Sequence, residues 1–146
     1  MRVLVDTNLF ISHLLHPQNP ELSTFRLVQA LLDRTVTHVL LTELLNELER
    51  AVQVSLYLSE RIRREDLQEF RESLREVSEV VTLGDTPVLP ILRDRKDDYF
   101  LAASWKFAVD LLVTGDRDFL DLRDAIDPPR IVTAAEFLAL FPRSEP

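Results

Sequence analysis

Five short, mostly apolar runs separated by segments with helical spacing constrain the fold of this 146-residue chain more than any other feature. Each run is three or four residues long and rich in Val, Leu or Ile, which is typical of strands buried in a parallel sheet. Strands that alternate with helices predict an α/β fold with a mostly parallel sheet. The five runs are residues 3–5, 38–41, 80–83, 110–113 and 130–132.

Residues that favour helix N-termini begin several of the intervening segments. Asn19 followed by Pro20 predicts the start of a helix through residue 32. Thr42 predicts the cap of a helix to about residue 58, and Thr133 with Glu136 predicts a capping box for a last helix to residue 141. Two further helices are predicted over residues 61–78 and 97–107.

Right-handed crossovers would place these helices on both faces of the sheet, as a three-layer α/β/α sandwich. The chain has only two glycines, and its eight prolines lie at the edges of the predicted elements. Because no linker divides it, we expect a single domain over residues 1–146. In parallel sheets of this kind, binding sites form beyond the carboxyl ends of the strands, where the strand order reverses.

Composition excludes several classes of site. The chain has no cysteine, which excludes disulfides, thiolate zinc sites and cysteine nucleophiles. No apolar run approaches about 18 residues, so we expect no membrane partner and a cytoplasmic protein. Lys and Arg total 17 against 25 Asp and Glu, which gives a formal net charge of −8 and argues at first against a nucleic-acid partner.

Carboxylates follow or precede the predicted strands at four separate places. Asp6 comes directly after the first run, and Asp116 follows the fourth run after two intervening residues, Thr114 and Gly115. Glu43 and Glu47 lie on the helix after the second run, where Leu44, Leu45, Leu48 and Val52 form its apolar stripe and Glu47 lies nearer the edge of that stripe. Asp97 and Asp98 open the helix before the fourth run, and either residue could supply the acid.

Each acid has a simpler explanation as a capping, turn or exposed residue. Four at strand-linked positions in one small domain nevertheless favour a shared site. Carboxylates that converge repel one another unless a cation neutralises them. Oxygen ligands without cysteine or histidine nearby suit Mg²⁺ or Mn²⁺ better than zinc. Such ions are used in phosphodiester hydrolysis, where one activates water and a second stabilises the leaving oxygen.

The chain resembles the PIN-domain family from residue 3 to about residue 140. The resemblance is carried by Val-Leu-Val-Asp-Thr-Asn at residues 3–8, Glu-Leu-Leu-Asn-Glu-Leu-Glu-Arg at 43–50, Asp-Arg-Lys-Asp-Asp-Tyr-Phe-Leu-Ala-Ala at 94–103 and Leu-Val-Thr-Gly-Asp-Arg-Asp-Phe-Leu at 112–120. The resemblance implies that the chain folds as an α/β/α sandwich. It also implies a metal-dependent ribonuclease that cleaves single-stranded RNA. Many small members of the family are toxins of toxin–antitoxin pairs of the VapC kind.

Position by position, the resemblance implies four acids that hold the metal and carry catalysis. These are Asp6, Glu47, either Asp97 or Asp98, and Asp116. Asn8 and Thr114 match polar residues that support the site, and Asp118 is a peripheral acid. The basic residues next to the acids are candidates for positioning RNA: Arg93, Arg95, Lys96 and Arg117.

The resemblance also implies an antitoxin partner and a homodimer. Leu14, Leu15 and Phe25 could form the dimer surface, although a place in the core is the favoured interpretation. Trp105 is interpreted as a core or interface residue, and the three histidines as structural or surface residues.

Two other functions are weighed against the nuclease. One is a metal- or RNA-binding module without catalysis, although a relic of the family would be expected to lose acids and this chain keeps all four. The other is an aspartyl phosphotransferase of the haloacid-dehalogenase type, which would need an acid where Asn8 stands and a catalytic lysine, whereas the only lysines are Lys96 and Lys106.

The acidic balance changes meaning once a metal site is considered. Four of the acids are assigned to one site, which leaves about −4 of the formal charge of −8 for the rest of the chain. No broad basic face is evident, so non-specific affinity for RNA is expected to be weak.

Overall fold

The apolar runs form one sheet of five parallel strands. The computed structural model describes residues 1–92 and 97–142, and the fold is described for these residues. Strand order is β3-β2-β1-β4-β5, and all four neighbouring pairs are parallel. The strands are β1 (Arg2–Val5), β2 (Thr37–Leu41), β3 (Glu79–Val81), β4 (Leu111–Val113) and β5 (Arg130–Val132). The predicted α/β class is therefore confirmed.

Eight helices connect and flank the strands within these residues. Two lie between β1 and β2, three between β2 and β3, and one each follows the last three strands along the chain. They are α1 (Thr7–Leu15), α2 (Ser23–Leu32), α3 (Thr42–Val54), α4 (Leu56–Arg61), α5 (Arg64–Val77), α6 (Asp98–Lys106), α7 (Arg117–Leu120) and α8 (Ala134–Leu140).

The order of the strands reverses direction at β1. The chain moves from β1 to β2 and β3 on one side, and then crosses back to β4 and β5 on the other. Right-handed crossovers consequently place α1 to α5 on one face and α6 and α7 on the opposite face. The carboxyl ends of β1 and β4 lie side by side at the reversal, which is where a site is expected.

Both faces of the sheet are packed by aromatic side chains. On one face Phe10 lies edge-on to Phe70 with ring centroids 5.5 Å apart, and on the other Phe100 lies edge-on to Phe119 at 6.0 Å. Phe10, Phe100 and Phe119 are fully buried. Each such side chain contributes about 1.5–3 kcal/mol through burial, so the strand ends stand on a rigid support.

Two predicted helix starts and one predicted helix are wrong. The second helix begins at Ser23 rather than next to Asn19, whose side chain instead accepts a hydrogen bond from the Glu21 amide at 3.2 Å. Thr42 is not a cap, because β2 runs directly into α3 and its hydroxyl donates to the Val81 carbonyl at 3.3 Å. The helix predicted to residue 58 is broken, because Ser55 ends α3 and caps α4 by accepting from the Leu58 amide.

The last helix follows the sequence pattern, and the helix predicted over residues 61–78 does so except at its start, because Arg61 ends α4 and α5 begins at Arg64. The capping box of Thr133 and Glu136 is present in both directions.

Trp105 is 41% exposed and donates to the Pro128 carbonyl at 2.9 Å, so its predicted place in the core is wrong, whereas an interface role stays a prediction. Leu14 belongs to the core and Leu15 packs partly buried against it, which favours the core interpretation of this surface.

Candidate active site

Asp6 lies at the reversal point, directly after β1, and is only 3% exposed. Its Oδ1 accepts a hydrogen bond from the Asn8 amide at 3.4 Å, so Asp6 caps the N-terminus of α1. Its Oδ2 accepts from the Thr114 hydroxyl at 2.8 Å, across the neighbouring strand end. A buried carboxylate is therefore held by a donor on each side, as burial of a charge requires.

Thr114 joins Asp6 to the acid on the next strand. The same hydroxyl accepts a hydrogen bond from the Asp116 amide at 3.0 Å. Asp116 in turn accepts with Oδ1 from the Asp118 amide at 2.9 Å and caps α7. One fully buried hydroxyl thus fixes the relative position of two carboxylate-bearing turns.

Glu47 reaches the same end of the sheet from α3. Its Oε2 accepts from the Thr7 hydroxyl at 3.3 Å and from the Tyr99 hydroxyl in a very short hydrogen bond. Both donors use one oxygen, so within the part of the chain that the structure describes Oε1 is left for another ligand. The ring of Tyr99 is held in place by stacking on Phe100 at 4.4 Å.

The electrostatics show that the three carboxylates share one environment. Burial raises the pKa of Asp6, and the carboxylates of Asp116 and Glu47 raise it further. The hydrogen bonds from Thr114 and Asn8 act in the opposite direction but do not cancel the effect. An acid whose ionised form is disfavoured by its neighbours is typical of a functional site.

The structure does not bring Glu43 to this cluster. Its carboxylate accepts from the amides of Leu83, at 3.0 and 3.1 Å, and Gly84, at 3.2 Å. Burial raises the pKa of Glu43, but these amides and the charge of Lys106 outweigh it and lower the pKa overall. The two glutamates of α3 thus have different surroundings, and Glu47 is the one beside Asp6.

Asp97 and Asp98 also differ in their surroundings. Asp98 is 3% exposed, and its Oδ1 accepts from the amides of Ile91 at 3.2 Å and Leu92 at 2.7 Å. Asp97 precedes α6 directly and is partly buried.

The residues predicted to support the site or to bind RNA are placed as follows. Asn8 is exposed and contributes its amide to Asp6, while Arg117 is exposed next to Asp116. Asp118 lines a neighbouring cavity of about 180 Å³, together with Ile91, Leu92, Asp121 and Leu122. Arg93, Arg95 and Lys96 lie outside the described residues, as does the Asp94 of the sequence motif.

Thr7 and Tyr99 were not predicted as site residues, although both donate to Glu47. Thr7 is buried directly after Asp6, and Tyr99 directly follows the predicted acids. Their positions within the quoted motifs are the one signal that could have identified them.

Comparison with known protein families gives the family of this chain. A family model described as PIN domain matches residues 2–118, a range that includes Asp6, Glu47, Asp97, Asp98 and Asp116. The chain belongs to the PIN-domain family. PIN domains are generally nucleases, so the coarse assignment is a hydrolase that acts on nucleic acid. The search of curated proteins finds no match to the chain.

Within residues 1–92 and 97–142, no helix of this PIN domain is both long and apolar enough to cross a bilayer. Its Lys106 ammonium donates to the Leu83 carbonyl at 3.3 Å and the Thr86 hydroxyl at 2.6 Å, whereas the described donors to Asp6 are Asn8 and Thr114. This lysine is therefore not placed as an aspartyl phosphotransferase would need it.

PIN-domain nucleases generally use divalent metals, and the donors at this site fit one chemically. Asp6, Glu47 and Asp116 offer carboxylate oxygens only, the ligands that hard cations prefer. No group of three acidic or histidine side chains among the described residues could hold an ion as they stand. The argument for a cation therefore depends on the carboxylate oxygens themselves and on the repulsion of Asp6 by Asp116 and Glu47, which a cation would relieve.

Proposed function

We propose that this PIN domain is a metal-dependent endoribonuclease that cleaves single-stranded RNA. The observation that supports it best is the pair Asp6 and Asp116, joined through the Thr114 hydroxyl at the reversal of strand order, with Glu47 beside them. Asp6, Glu47, Asp97 and Asp116 would hold Mg²⁺ or Mn²⁺. Four acids on four separate segments are consistent with a site that binds a cation.

A bound divalent ion would activate water for attack on the phosphate and offset the charge that develops in the reaction. The residues of this chain orient the carboxylates for that purpose. Thr114 holds Asp6 through Oδ2, and Thr7 and Tyr99 hold Glu47 through Oε2. Such outer hydrogen bonds fix the direction of a ligand and tune its basicity. Arg117, exposed next to Asp116, is suited to contact a phosphate of the substrate.

The test is cleavage of a labelled single-stranded RNA by the purified chain, with Mn²⁺ or Mg²⁺ and with EDTA. We expect cleavage only with metal. Asp6→Asn and Asp116→Asn should each reduce it by more than about 100-fold, beyond the loss typical of an outer-shell partner. The matched control is Asp124→Asn, which removes the same charge from an exposed position and should keep activity.

Three outcomes would count against the proposal. Cleavage that survives EDTA and both substitutions would contradict the mechanism. Preference for single-stranded DNA over RNA would contradict the substrate class. Binding of metal without turnover on either substrate would identify a binding module instead of an enzyme.

We further propose that the chain is the toxin of a type II toxin–antitoxin pair and acts as a homodimer in the cytoplasm. The proposal is supported by the family membership of the chain. Its expression in a bacterial host should arrest growth, and Asp6→Asn should abolish the arrest. Co-expression of the short reading frame next to its gene should restore growth. Sedimentation of the purified chain as a monomer would refute the homodimer.

A further inference from the structure

We infer that Asp98 and Glu43 are positioning residues that clamp the two ends of the connecting segment, residues 83–92. The inference rests on the proposed function, because it concerns which acids serve that site. It distinguishes Glu43 from Glu47, and Asp98 from Asp97. The members of each pair have the same chemistry but different surroundings.

The first clamp is at the start of the connecting segment. The Glu43 carboxylate accepts three hydrogen bonds, from the amides of Leu83 and Gly84. Gly84 has a φ of +61°, a backbone conformation that glycine adopts without strain. From the other side Lys106 donates to the Leu83 carbonyl and to the Thr86 hydroxyl. A helix on each face of the sheet therefore holds this turn.

The second clamp is at the end of the segment. Both amides bonded to Asp98, those of Ile91 and Leu92, point to the same oxygen, Oδ1. The residue is 3% exposed, so these amides supply the polar partners that a buried carboxylate needs. These two hydrogen bonds tie the start of α6 to the end of the connecting segment.

The clamped segment leads to the site in two ways. Ile91 and Leu92 form one wall of the cavity that Asp118 also lines, two residues beyond Asp116. Asp97 directly precedes Asp98, so the backbone that carries the proposed ligand is fixed by the same hydrogen bonds. Asp98 thus fixes the backbone position of Asp97, the proposed ligand beside it. Glu43 fixes the other end of the same segment.

An isosteric substitution distinguishes a hydrogen-bond acceptor from a metal ligand. Because both amides use one oxygen, Asp98→Asn keeps that acceptor and loses only the charge, whereas Asp98→Ala loses both bonds. We would measure amide hydrogen exchange by NMR and Mn²⁺ affinity by calorimetry on the full chain. The matched comparison is Asp97→Asn, the same substitution one residue earlier.

We expect Asp98→Asn to keep the protection of the Ile91 and Leu92 amides and to bind Mn²⁺ within a few-fold of the unmodified chain. Asp98→Ala should lower that protection by at least about tenfold and weaken Mn²⁺ binding by about 10–100-fold. Asp97→Asn should weaken Mn²⁺ binding at least as much while the amides stay protected. Glu43→Ala should expose the Leu83 and Gly84 amides in the same way.

The inference is overturned if Asp98→Asn loses Mn²⁺ binding as Asp97→Asn does, or if Asp98→Ala leaves both amides protected. If Asp98→Ala does not fold, Asp98→Asn and Glu43→Ala still decide between the roles. Failure of the proposed function would look different. In that case the unmodified chain would neither bind Mn²⁺ nor cleave RNA, while the exchange data would still show whether the clamps exist.

Discussion

The substitution Thr114→Val probes the hydroxyl that joins the two central acids. It keeps the shape of the side chain and removes one donor and one acceptor. The donor bonds Asp6 Oδ2 at 2.8 Å, and the acceptor receives the Asp116 amide at 3.0 Å. Thr114 has no exposed surface, so water cannot easily replace either bond.

The expected loss of stability follows from these two bonds. A hydrogen bond to a charged acceptor contributes about 1.5–3 kcal/mol, and a buried amide left without a partner costs about 1–3 kcal/mol. The extra methyl group of valine returns about 0.8 kcal/mol. The free energy of unfolding should therefore fall by about 2–5 kcal/mol.

Urea unfolding followed by circular dichroism measures this loss, with Thr114→Ser as the matched control. Serine keeps the hydroxyl and loses only a methyl group, which costs about 1 kcal/mol. The function is tested in parallel. Because the Thr114 hydrogen bond lowers the pKa of Asp6, its removal raises that pKa further, and the pH at which Mn²⁺ binds half-maximally should move upward.

A Thr114→Val variant that is no less stable than Thr114→Ser would contradict this expectation. In that case the hydroxyl would not be the link between the two strand ends. If stability falls as expected but the pH for Mn²⁺ binding does not move, Thr114 would support the fold without orienting Asp6.

Three other predictions concern neighbouring groups. Since burial and nearby carboxylates raise the pKa of Asp6, its ionisation costs stability, so the free energy of unfolding in EDTA should fall less between about pH 4 and pH 7 in Asp6→Asn than in the unmodified chain, by about 0.5–2 kcal/mol in urea titrations, while cleavage is abolished. Tyr99→Phe keeps the ring but removes a donor to Glu47, so calorimetry should show Mn²⁺ binding weaker by about tenfold or more; unchanged affinity would exclude an orienting role. Complete burial lowers the pKa of His38 from 6.5 to about 3. The folded protein is therefore most stable above the pKa of the unfolded chain, and urea titrations should show the free energy of unfolding fall by about 2 kcal/mol from pH 7 to pH 5. That loss should shrink in His38→Asn and persist in His16→Asn, which changes an exposed histidine.

The parallel sheet could be predicted because its signal is local. Runs such as residues 3–5 are apolar throughout, and burial on both faces leaves them few alternatives. The break between α3 and α4 could not, since no glycine or proline marks it and Ser55 acts through its own side chain. The late start of α2 has a similar reason, because Asn19 bonds the Glu21 amide without beginning a helix.

The acids at the strand ends were also predictable in part. Asp6 and Asp116 follow strands that lie side by side, so their positions could be expected from the strand order. The choice between Glu43 and Glu47 depends on amides 40 residues away along the chain. Helical spacing considers only the residues of α3 itself, so it predicts both glutamates on the same side of α3.

Capping and chemistry are not competing explanations for Asp6 and Asp116. Each accepts from the amide two residues ahead, as a simple N-cap does, and each also lies in the shared acidic environment. A cap orients the carboxylate as firmly as it begins the helix, so the local role prepares the chemical one. This overlap decides which variants are informative. Alanine would remove the cap and the charge together, whereas asparagine removes the charge and keeps an oxygen for the cap, although at Asp6 its NH2 group replaces the oxygen that accepts from Thr114. Only the asparagine variants therefore separate loss of catalysis from loss of the helix start.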